Sequence, residues 1–332
     1  MIPQRAQLAP DVLDITKVVQ KPTRLGFGSG LVRAGEENQN VVALCADLTE
    51  STQILPFKKK FPDRYVEIGV AEQNLAAVAS GMAAMGKVPF IASYAMFSPG
   101  RNWEQIRTTA CYNEQNVKVV GCHAGISVGP DGATHQAIED IAIMRVIPHM
   151  TVISPCDTIE AEKATIAAAS YPSPVYIRLH REKTPVMTTE GTPFAIGKAE
   201  TFFDVEGALD VVVFATGPLV HNAILAAASL ESKGVKVRVV NVPTIKPLDT
   251  DAILESVKIA RAVVTVEEHQ MHGGFGSAIA EFLASSMPVP IEFVGVKDRF
   301  GESGEPNELI EKFGMGATHI ADAVIRVQGR KQ

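Results

Sequence analysis

The sequence has little of what would take it out of the soluble α/β proteins. Cysteine is scarce: only Cys45, Cys111, Cys122 and Cys156 occur. None forms a C-x-x-C pair and no zinc-ligand spacing appears, so neither a disulfide framework nor a structural zinc site is expected. Buried free thiols in a reducing cytoplasm fit better. No apolar run reaches the length that spans a bilayer, so no membrane association is expected. The opening "MIPQRAQLAPDVLD" has acids and prolines but no apolar h-region, so no secretory signal is expected. Excess positive charge is also missing. A net charge of −6 argues against nucleic-acid binding as the main task. There is no P-loop, and no nucleophile elbow of the hydrolase kind is expected. "GFGSG" (26–30) does not follow a strand pattern, so it fails as a dinucleotide fingerprint.

What the chain does have is length and apolar content. Its 332 residues are 46% hydrophobic and 20% charged, enough for two domains with large cores. Short β-branched runs alternate with Ala-rich stretches. The runs include "VVALCA" (41–46), "VPFIASY" (88–94), "VKVVGC" (117–122), "TVISP" (151–155) and "PVYIRL" (174–179). The helical stretches include 71–85 and 158–170. The same rhythm returns as strands at 210–216, 235–241, 262–268 and 290–296, with helices at 219–234 and 275–286. Nearly continuous apolar strands separated by helices predict parallel sheets covered on both faces. The expected fold is therefore two tandem α/β domains with mainly parallel sheets. We expect an N-terminal extension over 1–20, a first domain over 21–185, a linker over 186–200 and a second domain over 201–332.

Ligands of such sheets lie outside the carboxyl ends of the strands. Asp47, Tyr94 with Phe97, His123 and Arg178 fall at such ends, on one rim of the first domain. The polar loop "GPDGATHQ" (129–136) follows His123. Glu72 opens a helix whose next fourteen residues carry no charge. A first-turn acid favours the helix dipole. A carboxyl group packed in an apolar setting can instead hold a raised pKa and share a proton. His123 and His135 are open to two readings of the same kind, structural or functional. Metal binding by them is not expected, because no His-x-x-x-His spacing occurs. Tyr94 and Phe97 suit either a core or the grip of a flat ring. "HGGFGSA" (272–278) follows a strand and opens a helix, where either an anion or tight packing is accommodated.

Taken in chain order, these motifs resemble transketolase, over its pyrimidine-binding and C-terminal domains. The match runs from about residue 20 through "PTR" (22–24), "ADLTEST" (46–52), "GVAEQN" (69–74), "SYAMF" (93–97), "CHAGISVGPDGATHQ" (122–136), "YIRLHR" (176–181), "PTIKPLD" (243–249) and "EEHQMHGGFGSAI" (267–279). The chain looks like the C-terminal subunit of a split, two-gene transketolase. That resemblance implies thiamine diphosphate as cofactor and transfer of a two-carbon ketol unit from a ketose phosphate to an aldose phosphate. It implies that Glu72 bonds N1′ of the aminopyrimidine, and that Tyr94 and Phe97, with Asp47 and Leu48, lie at the cofactor. It implies that His135 contacts the donor oxygen and helps proton transfer, and that Asp131 reads a substrate hydroxyl. His123, Arg24, Ser51 and Arg178 match the set that holds the sugar-phosphate end.

The family anchors the cofactor diphosphate through Mg²⁺ on a separate domain, marked by Gly-Asp-Gly and later Asn residues. The nearest stretch here, "GPDG" (129–132), lacks the Gly before Asp. No metal ligand is therefore expected in this chain. Mg²⁺ is expected on an N-terminal partner subunit, in an α2β2 heterotetramer of the cytoplasm. Three alternatives remain open. They are a relative of deoxyxylulose-5-phosphate synthase, with Arg101 as a phosphate contact, the β subunit of a 2-oxo acid dehydrogenase E1, and a noncatalytic assembly subunit.

Overall fold

The computed structural model describes residues 1–331. Among them the strands run β1 (Gln20–Lys21), β2 (Val41–Cys45), β3 (Tyr65–Glu67), β4 (Val88–Tyr94), β5 (Lys118–Cys122), β6 (Thr151–Ile153), β7 (Val175–Arg178) and β8 (Thr184–Pro185). The second half adds β9 (Glu200–Phe203), β10 (Val211–Ala215), β11 (Val237–Asn241), β12 (Thr244–Lys246), β13 (Val263–Gln270) and β14 (Ile291–Val296). The first large sheet has the order β12-β6-β7-β5-β4-β2-β3 and the second β14-β13-β10-β11-β9. Within these two sheets all pairs are parallel except β12 on β6 and β9 on β11, and β1 and β8 form a separate antiparallel pair. The central strands β2, β5, β7 and β10 are buried along their whole length, which explains their unbroken apolar sequences.

Helices cover both faces. "GFGSG" lies inside the helix Thr23–Glu37, which packs along Thr158–Ser170. A Cβ at Gly26 would stand 1.8 Å from the Thr158 carbonyl oxygen, so the glycines serve close approach of two backbones. The helix at 158–170 starts on Asp157, whose Oδ1 accepts from Glu160 N at 2.9 Å. The other oxygen of Asp157 accepts from the backbone of Met187 (2.7 Å) and Thr188 (2.6 Å). The expected linker is thus a fixed strap.

The two halves are joined more closely than their sequence boundaries suggest. Strand β12 comes from the second half yet extends the first sheet. One buried apolar cluster contains Leu44, Ile91 and Met144 of the first domain with Val212, Phe214 and Phe275 of the second. The N-terminal extension lies on the second domain: Val12 is in that domain's core, and its carbonyl faces His221 Nε2 at 2.8 Å. All four cysteines are free and buried. No helix among the described residues is long and apolar enough to cross a membrane.

Candidate active site

The parallel order places the carboxyl ends of β7, β5, β4, β2 and β3 side by side. The segments leaving them carry Arg181, His123, Tyr94 with Phe97, Asp47 and Glu72, in that spatial sequence. Left-handed backbone at Asp47 (φ 57°) and His123 (φ 58°) turns the chain sharply off β2 and β5. Beside Asp47, Leu48 is half-buried against the first domain's core. The Asp47 amide donates to Glu67 Oε1 at 2.7 Å, which fixes that turn against β3.

Four rings form the middle of the rim. Tyr94 stacks on His123 with centroids 3.8 Å apart, and on Phe97 at 6.3 Å. The His135 ring meets Phe97 edge-on at 5.4 Å and Tyr94 at 6.2 Å. His123 is buried, and its Nδ1 has no hydrogen-bond partner. Burial first, then the charges of Arg24, Arg181 and His135, push its pKa down to about 3. His123 is therefore a neutral imidazole near neutral pH. His135 Nδ1 lies 2.9 Å from Thr134 Oγ1.

Glu72 is the first residue of the helix Glu72–Ala84 and is only 2% exposed. Arg101 Nη1 donates to its Oε2 at 3.0 Å, and the same guanidinium lies over the Phe97 ring at 4.9 Å. Asn102 Nδ2 donates to the Glu72 carbonyl at 2.9 Å. A carboxyl group out of water, next to half-buried aromatic faces, fits a flat heterocycle with a basic nitrogen. The first-turn position benefits from the helix dipole.

At the other end of the rim, Arg24 donates from Nη1 to the Ser51 carbonyl (2.7 Å) and from Nε to the Arg181 carbonyl (3.2 Å). Arg181 Nη1 donates to the Val128 carbonyl (3.0 Å) and to Asp131 Oδ1 (3.2 Å). These contacts use a minority of the five donors on each fork. Arg24 is thus tied to the Arg181 backbone, and two half-exposed guanidinium groups lie at the mouth of the site.

Arg178 is a correction. It is 1% exposed and does not reach the rim. Its Nε donates to Asp140 Oδ2 at 2.8 Å, and its Nη2 to the carbonyls of Ala137 (3.2 Å) and Glu268 (2.8 Å). A guanidinium already filled by a buried carboxylate and carbonyls has no face left for a phosphate. Arg181 stands where Arg178 was expected. The signal lay in the same "YIRLHR" motif, whose last residue follows the strand instead of ending it.

Two glycine motifs resolve on structural grounds. In "HGGFGSA" the N-terminus of the helix Phe275–Ser286 is already filled by a carboxyl group of this chain. Glu267 accepts from the amides of Phe275 and Gly276, both at 2.7 Å. Gly125-Ile126-Ser127-Val128-Gly129 does have the G-x-S-x-G spacing of a hydrolase. Ser127, however, lies in a buried 3-10 turn, and its Oγ has no partner to act as base.

Comparison with known proteins agrees with this geometry. Residues 20–187 match the family model described as transketolase, pyrimidine binding domain, and residues 200–320 match transketolase, C-terminal domain. The chain belongs to the transketolase family. It is 42% identical to a putative transketolase C-terminal section of Methanocaldococcus jannaschii, over 92% of this chain and 96% of that protein. It is 41% identical to the 6-deoxy-6-sulfo-D-fructose transketolase subunit SqwH of a Clostridium species, over 91% and 92% of the two chains. A solved structure described as a split gene transketolase, inactive beta4 tetramer, superposes with a TM-score of 0.86 at 41% identity. It covers 94% of this chain and 99% of that one. These relatives are transketolase sections or subunits of this chain's own length. The family's pyrimidine-binding domain implies thiamine diphosphate, and the Glu72 side of the rim suits its pyrimidine.

Proposed function

We propose that this chain is the pyrimidine-holding half of a transketolase that moves a two-carbon ketol unit between sugar phosphates. The observation that carries the proposal is one continuous rim. It joins the buried Glu72 carboxylate, the Tyr94–Phe97–His123–His135 rings and the Arg24–Arg181 pair.

When bound, the cofactor supplies a carbon nucleophile that the side chains here cannot. This chain's residues do the rest. Glu72 offers its buried carboxyl oxygens to the basic nitrogen of the pyrimidine ring. Tyr94 and Phe97 offer faces to the pyrimidine, with Asp47 and Leu48 at the neighbouring strand end. His135 holds or releases a proton at the donor oxygen, and neutral His123 contributes a hydrogen bond without adding charge. Asp131 accepts from a sugar hydroxyl. Arg24, bonded through its Nη1 to the Ser51 carbonyl, and Arg181 bind the phosphate through paired, charge-assisted bonds. Asp131 and Arg181 are in contact, so hydroxyl and phosphate are read by coupled groups.

The diphosphate and Mg²⁺ are assigned to a separate N-terminal subunit, in keeping with relatives that are named as sections and subunits. Two copies of each chain would give an α2β2 assembly. The tetrameric relative supports self-association through chains of this type. The donor and acceptor are sugar phosphates in this proposal, and the setting is the cytoplasmic pentose phosphate pathway.

The test combines this chain with its N-terminal partner, thiamine diphosphate and Mg²⁺, and measures ketol transfer together with exchange of the thiazolium C2 proton. Transfer from a ketose phosphate to ribose 5-phosphate is expected. Glu72→Ala should slow C2 exchange by about two to four decades while the fold is kept. Exchange at the wild-type rate would remove Glu72 from this role.

A further inference from the structure

We propose that Glu268 of the C-terminal domain is a positioning residue that locks the loop 125–136 in register with Arg181. The functional meaning of that loop rests on the transketolase reading above. The placement itself rests on bonds within this chain.

Glu268 lies near the end of β13 and is 3% exposed. It grips two segments of the first domain. Its Oε1 accepts from the Ser127 amide at 2.6 Å. Its Oε2 lies 3.1 Å from His180 Nε2. Its carbonyl accepts from Arg178 Nη2 at 2.8 Å. Ser127 begins the turn that leads to Asp131, and His180 immediately precedes Arg181. One residue of the second domain therefore fixes both sides of the Arg181–Asp131 contact. Burial disfavours the charge on Glu268, but His180, Arg178 and the Ser127 amide outweigh it and hold the carboxyl below its usual range. An ionised acceptor with directional bonds to two segments sets geometry more sharply than apolar packing does.

The far end of the loop is held from the same domain. Gln136 Nε2 donates to the Glu302 carbonyl at 2.9 Å and to the Ile126 carbonyl at 3.0 Å. A Cβ at Gly125 would fall 2.2 Å from Glu268 Oε1, and one at Gly132 2.6 Å from Ser303 Oγ. The loop is thus fitted against the second domain on two sides. Any shift between the domains would move Asp131 and His135 relative to the rim, which gives the C-terminal domain a part in catalysis without contact with the reacting atoms.

A buried carboxylate that only stabilised domain packing would act globally, and the test separates the two roles. Amide hydrogen exchange is measured by mass spectrometry on the full chain, wild type and Glu268→Ala. Exchange over 126–136 should rise about 10- to 100-fold, as expected when one buried charge-assisted anchor is lost. The helix Glu72–Ala84 should stay at the wild-type rate. Glu268→Gln retains an acceptor for the Ser127 amide and should restore most of the protection. In the complex with the N-terminal subunit, Glu268→Ala should raise KM for the phosphorylated donor at least about tenfold and leave C2 exchange unchanged. If Glu268→Ala does not fold, Gln136→Leu releases the loop from its other anchor, and the same local pattern is expected. Unchanged exchange over 126–136, or an equal rise across the whole chain, overturns the proposal. Exchange needs no partner. A wild-type complex without ketol transfer would therefore sink the transketolase reading and leave the loop result standing.

Discussion

Arg178 and Arg181 stand on the same segment and differ in everything that matters to a phosphate. Arg178 is enclosed, with Asp140 on its Nε and carbonyls on its Nη2. Arg181 is partly exposed and leans on Asp131. The two should separate cleanly by mutation. Arg181→Ala should raise KM for phosphorylated donors about ten- to a hundredfold, since it removes a charge-assisted anchor, and should affect an uncharged donor much less. Arg178→Ala should instead cost about 3–5 kcal/mol of stability, because it strands the buried Asp140 carboxylate. Steady-state kinetics with the two donor types and urea unfolding check both. Equal penalties for charged and neutral donors in Arg181→Ala would contradict the phosphate role. Strand ends alone could not distinguish the two arginines. Alternation in "YIRLHR" is masked in a strand buried on both faces, so the direction of one side chain is not legible there.

At the scale of elements, most of the fold was legible. The apolar runs of β2, β4, β5, β7, β10, β11, β13 and β14 all lie within one or two residues of their expected ends, because doubly buried strands advertise themselves. The three-residue strands β3 and β12 were not legible, whereas β6, equally short but fully buried, showed itself as the apolar run in "TVISP". The helix Thr23–Glu37 was also hidden, since its glycines look like a loop until the helix they pack on is seen. The helix Thr158–Ser170 carries a consequence for pH. Its buried Glu160 accepts from Asn241 Nδ2 at 2.7 Å and from the Cys156 amide at 2.6 Å. Burial, and then the charge of Asp157, raise its pKa to about 7. A carboxyl group raised above its unfolded value stabilises fully below that value, near 4.5, and loses the contribution as pH climbs through about 7. Melting temperature should therefore fall between about pH 4.5 and 7 and level off above that. Glu160→Gln should flatten that fall, because Asn241 Oδ1 has no other partner and can accept from the new amide. An unchanged slope in Glu160→Gln would rule Glu160 out as its source. Glu267, also raised to about 7 by burial, adds to the same trend in wild type and variant alike.

For the whole molecule, the two domains work as one body. They share a buried apolar cluster, the second lends strand β12 to the first sheet, and they meet across Arg178, Asp140, His180 and Glu268. The rim presents a buried carboxylate at Glu72, the aromatic faces of Tyr94 and Phe97, and the Arg24 and Arg181 cations, which the proposed function assigns to cofactor and sugar phosphate. The proposed function leaves the diphosphate end of the cofactor to a second chain. Calorimetric titration of thiamine diphosphate with Mg²⁺ tests that division directly. The account predicts little or no heat of binding to this chain alone and clear, saturable binding once the N-terminal subunit is added. Tight magnesium-dependent binding by the isolated chain, together with full ketol transfer, would contradict it.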